Sequence, residues 1–204
     1  MQMNYLAVDT SGSHLTVIAR GDNGAYTYYN ENCDLKHSVI LMDAVEKALF
    51  GAALKKEDVD VFCCCLGPGS FTGIRIGVAT VKALAYALGK KVLGVTSFDC
   101  VAYDSTEKNV LALIDARHSH VYAAGYSDGK ITLSPAYIAT EELGRYSGRY
   151  SFKTPFKIDG VAADTVSPAE GFRAAVEAKL SEASTDTETL FPLYIRKSQA
   201  EEGR

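Results

Sequence analysis

Apolar and polar positions fall into short blocks along the chain, and the block lengths set the first expectations. Asn4 to Thr10 is a compact apolar run of strand length, His14 to Arg20 a second, and Gly24 to Asn30 a third that follows the turn signal Asp22-Asn23-Gly24. Three such runs joined by tight turns form an antiparallel meander. His37 to Phe50 then carries apolar residues at helical recurrence, whereas Val59 to Leu66 is an unbroken apolar run suited to a central strand covered on both faces. Ser70 to Leu88 predicts a long helix stopped by Gly89, and Val92 to Thr96 a further buried strand. The order is β-β-β-α-β-α-β.

From Asn109 the pattern begins again. Val110 to Ala116 and His120 to Ser127 read as strands, and Ser127-Asp128-Gly129-Lys130 as a turn into Ile131 to Leu133. An offset of 106 positions lays the second start on the first without a gap, pairing Leu6-Ala7-Val8-Asp9 with Ala112-Leu113-Ile114-Asp115, Ser13-His14 with Ser119-His120, and Asp22 with Asp128. Later blocks are thinner: Thr140 to Ser147 predicts a brief helix, Phe156 to Ala162 a strand, Pro168 to Ala183 a helix with Ser167 at its N-cap, and Ser181 to Thr189 a polar loop. The expectation is an α/β protein of two duplicated β-β-β-α-β-α lobes, residues 1–106 and a reduced 107–190, with a tail over 191–204 that packs back on the first lobe. A duplicated lobe of this order resembles the actin-like ATPase fold, ribonuclease H-like in each lobe, of actin, the heat-shock chaperone ATPases and the hexokinase-like kinases.

Composition narrows the function classes. With 47% hydrophobic and 23% charged residues the chain reads as a soluble globular protein, no apolar run approaches the roughly 20 residues of a membrane span, and the first residues lack a secretory signal. A cytoplasmic protein with no membrane role is expected. The net charge of −4 argues against a chain that grips nucleic acid alone, which needs clustered Lys and Arg. Five cysteines, three of them contiguous at Cys63, Cys64 and Cys65, fit neither a disulfide framework nor zinc spacing and read as small core residues.

Two segments hold candidate chemistry. Asp9-Thr10-Ser11-Gly12 sits in a turn between strands, where backbone N–H groups would cradle phosphate and Asp9 would hold a magnesium-bound water; Asp and Ser as ordinary turn formers explain it equally well. Asp115-Ala116-Arg117, its counterpart in the repeat, lacks the hydroxyls and glycine. The second segment, Gly67-Pro68-Gly69-Ser70-Phe71-Thr72-Gly73-Ile74-Arg75-Ile76-Gly77, joins a buried strand to a helix and places N–H groups at a helix N-terminus. It is neither a Walker loop nor a dinucleotide fingerprint. Asp9, Thr10, Ser11, Gly67 and Gly69 are thus the candidate phosphate-binding set. Ile158-Asp159-Gly160-Val161-Ala162-Ala163-Asp164 is all the second lobe offers to an adenosine, so no cofactor is expected beyond vestigial nucleotide binding.

The eleven residues from Gly67 to Gly77 resemble the signature of the TsaB family, the dimerisation subunit of bacterial tRNA threonylcarbamoyladenosine synthesis. Asp9-Thr10-Ser11, His37-Ser38, Val95-Thr96-Ser97 and the Pro192-Leu193-Tyr194-Ile195-Arg196 tail recur there at comparable positions. The resemblance is close over the first hundred residues and loose afterwards. It implies a paralogue of the catalytic TsaD subunit, which binds metal through a His-x-x-x-His pair; the corresponding positions here are Ser97 and Val101, so neither that metal site nor a catalytic residue is expected. It also implies partnership with a TsaD-like subunit and a TsaE-like ATPase, contact with tRNA only through them, and a homodimer when the chain is alone.

The partner face is sought on the two first-lobe helices. The helix from His37 to Phe50 leaves only a narrow polar strip, wider apolar cover than the ~100° of a single core contact, and the next helix repeats Ala79, Ala83 and Ala87 at four-residue spacing. Burial within the lobe and contact with a partner both account for this. The resemblance favours the partner, in a four-helix bundle, through Val39, Leu41, Met42, Val45, Leu49, Phe71, Arg75, Ala79 and Ala83. The alternatives from other classes are an ATPase or small-molecule kinase acting through Asp9, and a metallopeptidase.

Overall fold

The computed structural model describes residues 3–33 and 36–196. The opening meander is β1 (Tyr5–Asp9), β2 (Leu15–Gly21) and β3 (Gly24–Asn30), followed by α1 (His37–Gly51), β4 (Val61–Cys65), α2 (Phe71–Leu88) and β5 (Lys91–Val95). These strands form one sheet ordered β3-β2-β1-β4-β5, antiparallel across the meander and parallel from β1 to β5. A short helix, α3 (Ser97–Tyr103), leads to β6 (Asn109–Arg117), β7 (His120–Ser127), β8 (Lys130–Ala139), β9 (Ser151–Thr154) and β10 (Asp164–Thr165), before α4 (Pro168–Lys179). The second sheet, ordered β8-β7-β6-β9-β10, repeats the first order with the same strand directions. The sequence repeat places β6 on β1 and β7 on β2, so it is a repeat of topology, and the architecture is the two-lobed actin-like one.

Strand pleating divides the first core in two. Leu6, Val8, Phe62 and Cys64 face α1 and α2, whereas Tyr5, Ala7, Cys63 and Cys65 face the opposite side. The cysteine run is therefore split by the pleat and wholly buried, and burial pushes the Cys63 and Cys64 thiols up. The opposite side is covered by α4: Phe172, Ala175 and Val176 pack on Tyr5, Ala7 and Ile18. So α4, which lies within the 107–190 stretch expected to form the second lobe, instead closes the first sheet, which α1 and α2 cover on one face only. Leu190 also lies in the first core; residues 197–204 of the expected tail fall outside the described residues.

Helix α2 starts where Ser70 Oγ accepts the Gly73 N–H and ends at Gly89, whose φ of +63° suits glycine. It is long and apolar enough to cross a membrane by composition, but Ile74, Val78, Val81 and Ala85 bury in the first core and make it a core helix.

The second half departs from expectation. Phe156 to Ala162 is not a strand: the strand is Ser151–Thr154, and the later apolar residues leave an irregular loop in which Gly160 takes φ +75° while Ile158 and Val161 turn into the second core. Thr140–Tyr146 is a 3-10 helix, and β8 runs past Leu133 to Ala139 over a register shift. No counterpart of α2 lies between β9 and β10 among the described residues, which is the sense in which this lobe is reduced.

Candidate functional site

The glycine-rich segment is a joint between α2 and the β1–β2 turn. Ser70 N–H donates to the Ser11 carbonyl at 2.6 Å, and Thr10 Oγ1 donates to the Gly73 carbonyl at 2.7 Å. A Cβ on Gly69 would overlap the Ser11 carbonyl, one on Gly73 the Thr10 carbonyl, and one on Gly77 would meet Thr10 Oγ1 at 2.5 Å. The three glycines therefore let the helix touch the turn backbone, where the Ser11 carbonyl accepts the Ser70 N–H and Ser70 Oγ accepts the Gly73 N–H. Thr10 is buried against the helix, and of the five expected phosphate residues Asp9, Ser11 and Gly69 reach the cleft between the lobes.

Asp9 is turned inward. Its Oδ1 accepts the Ser11 N–H at 2.8 Å and its Oδ2 pairs with His14 Nε2 at 3.1 Å, both side chains being buried. Burial alone would raise the carboxyl, but the neighbouring His14 and the Ser11 N–H outweigh it and hold the pKa below the usual carboxylate value. Asp9 is thus a turn carboxylate engaged through both of its oxygens. The repeat holds at atomic detail: Asp115 Oδ1 accepts the Arg117 N–H at 2.8 Å, the same two-residue reach.

The cleft between the lobes has a volume of about 250 Å³, below the roughly 300–1,000 Å³ of small-molecule sites. His14 lies at its floor and Phe156 from the second lobe closes over that ring at 5.3 Å. Arg117 lines the other wall, paired with Asp115 at 3.2 Å. Ser97 and Val101 lie on the same cleft; Ser97 Oγ donates to the Pro68 carbonyl at 2.8 Å and Val101 is buried with Phe98 and Ile114. A hydroxyl already committed and an aliphatic side chain do not form a metal-ligand pair.

The helix face divides into two stripes. Leu41 and Val45, only 2% and 3% exposed, pack with Ala44 and Ala48 in the first core. They are withdrawn from the interface set, because a residue filling its own lobe's core has no surface to give a partner. Val39 (73% exposed) and Met42 (47%) point outward, with Leu49 half-buried between the stripes. On α2, Ala79 and Ala83 are exposed, whereas Phe71 and Arg75 are engaged by the tail: Tyr194 lies 4.8 Å from the Phe71 ring, and Arg75 Nε donates to its hydroxyl at 2.8 Å. Phe50 (89% exposed) and Tyr86 (83%) complete the outward stripe and were absent from the sequence-based set. Their signal was spacing: Phe50 continues Val39 and Met42 along α1, and Tyr86 continues Ala79 and Ala83 along α2.

Residues 30–164 match the family model of TsaD, tRNA N6-adenosine threonylcarbamoyltransferase. An uncharacterized protein of Mycobacterium tuberculosis is 34% identical over 164 residues, covering 80% of this chain and 77% of that one. The tRNA threonylcarbamoyladenosine biosynthesis protein TsaB of Escherichia coli is 33% identical over 128 residues, 61% of this chain and 55% of that relative, so the match spans about half of its length. Among solved structures, an uncharacterized protein with similarity to peptidase YeaZ, from Pseudomonas aeruginosa, superposes with a TM-score of 0.79 at 26% identity, covering 96% of this chain and 100% of that one.

Proposed function

The chain belongs to the TsaD family as a TsaB/YeaZ-type member, and from that premise we propose that it serves tRNA threonylcarbamoyladenosine formation as a non-catalytic subunit. It binds a TsaD-type catalytic subunit through the outward stripe of α1 and α2, and works with a TsaE-type ATPase. Without them a second copy takes the same face. The observation that carries this reading is the stripe itself. Val39, Met42 and Phe50 on α1 and Tyr86 on α2 are large apolar side chains exposed on helices whose opposite faces already fill the core. Aromatic and Met anchors ringed by smaller residues are the composition of a protein interface. The small alanines between them allow close helix approach.

Supporting the non-catalytic part are the inward Asp9, the Ser97 and Val101 positions and the small cleft. Contact with tRNA is assigned to the partner, in keeping with the net charge of −4. The expected result with purified chain alone is no saturable heat on titration with Mg-ATP and no phosphate release above buffer. Micromolar binding accompanied by turnover would overturn the reading.

A further inference from the structure

The chain passes between its lobes twice at one place. It leaves α3 for β6 through residues 104–108 and leaves β10 for α4 through 166–167. The crossings touch, since Ser167 N–H donates to the Asp104 carboxylate at 2.7 Å. Beside them Asp99 of α3 accepts the Tyr126 hydroxyl of β7 at 3.0 Å and the Lys179 ammonium of α4 at 2.9 Å. Together with Phe98 and Val101 of α3, buried against Ala112 and Ile114 of the second sheet, the two crossings form the hinge joint about which the lobes can turn. A further tie far from that joint would remove the rotation.

Residues 190–196 run along such a path. Leu190 is anchored in the first core, and Leu193 N–H donates to the Leu66 carbonyl at 2.7 Å, just past β4. The Leu193 and Ile195 side chains then pack against the cluster in which Phe98 and Val101 of α3 meet Ala112, Ile114, Ala124 and Tyr126 of the second sheet. Tyr194, between them, faces the other way onto Phe71 and Arg75 of α2. Arg196 lies over the Tyr137 ring at 4.4 Å and donates to its hydroxyl at 2.6 Å. Tyr137 is on β8, the edge of the second sheet opposite β10 where the chain leaves for the hinge. Four strand spacings separate those edges, about 19 Å at ~4.8 Å each.

We propose that residues 190–196 form a strap that latches the two lobes at a fixed angle and so sets the width of the cleft between His14 and Arg117. Tyr194 grips the first lobe, whereas Leu193, Ile195 and Arg196 reach toward the second. Rotation that widens the cleft strains the Phe156 contact on His14 and, far from the hinge, the Tyr194 contacts on α2 or the Arg196 contacts on β8. The last two are surface contacts, so the latch can open without unfolding either core. Because Arg75 belongs to α2, the strap also joins that helix mechanically to the second lobe.

The test uses the full chain with spin labels on Glu31→Cys and Glu141→Cys, exposed sites that follow β3 in the first lobe and β8 in the second. The unsubstituted strap should give one narrow distance distribution. Tyr194→Ala combined with Arg196→Ala should give a distribution about twice as wide, extending to longer distances, with unchanged circular dichroism. Arg196→Ala alone, a surface truncation that leaves both cores intact, should shift it in the same direction by less. Distributions that superpose in all three chains would overturn the latch.

Discussion

Met42→Arg is expected to weaken binding to a TsaD-type subunit by about 100-fold while leaving the chain folded, whereas Leu41→Arg, one position away, is expected to unfold it. The contrast follows from the two stripes of α1. Met42 is exposed on the outward stripe, so a guanidinium there stays in water in the isolated chain and changes stability by no more than about 0.5 kcal/mol. In the complex the same charge would be buried without a partner. A factor of 100 corresponds to ~2.7 kcal/mol, within the range of interface hot spots. Leu41 is 2% exposed in the core, and an arginine there removes the Leu packing and forces a charge into an apolar space, a loss of several kcal/mol. Calorimetric titration with the partner, alongside urea unfolding of each variant alone, separates the two effects. A folded Leu41→Arg chain, or Met42→Arg binding at full strength, would mean that the stripes are assigned the wrong way round.

Gly69→Ala and Gly73→Ala should each cost about 3 kcal/mol or more of stability. At both positions the added methyl meets a backbone carbonyl of the β1–β2 turn, Ser11 at Gly69 and Thr10 at Gly73, and backbone cannot swing aside as the end of a side chain can. Relief requires α2 to move off the turn, which breaks the Ser70 to Ser11 and Thr10 to Gly73 hydrogen bonds and opens the core beneath. Gly148→Ala is the control, since nothing lies within 4 Å of its Cβ position. It should be neutral or stabilising by up to ~1 kcal/mol through the unfolded state. Urea midpoints of the three variants decide this. A mild Gly69→Ala, with stability near the parent, would return the segment to the status of an open loop.

The first lobe was legible because its elements are long and its signals local. The strand–helix order, the Ser70 cap and the Gly89 stop of α2 all follow from residues within a few positions of the feature they set. The second lobe was less so, since Phe156, Ile158 and Val161 are apolar for reasons of tertiary packing while their backbone is irregular. Helix α3 was missed although Thr96 and Asp99 form a capping box at its start, a signal present in the sequence. At the site, residue types were readable and directions were not. Asp9 and the glycines belong together as expected, but only distances distinguish a turn packed on a helix from a turn offered to phosphate. Likewise the excess apolar width of α1 was visible, yet two stripes appear only once Leu41 is seen to face inward and Met42 outward.

The most direct test of the whole account is tRNA modification reconstituted from purified TsaD-type and TsaE-type subunits, Mg-ATP and the threonylcarbamoyl donor, with this chain omitted, added, or added as Met42→Arg. Modification should require the chain and be lost with Met42→Arg, then recover when that variant is supplied at about 100 times the concentration. Full modification without the chain, or unimpaired modification with Met42→Arg at low concentration, would contradict it.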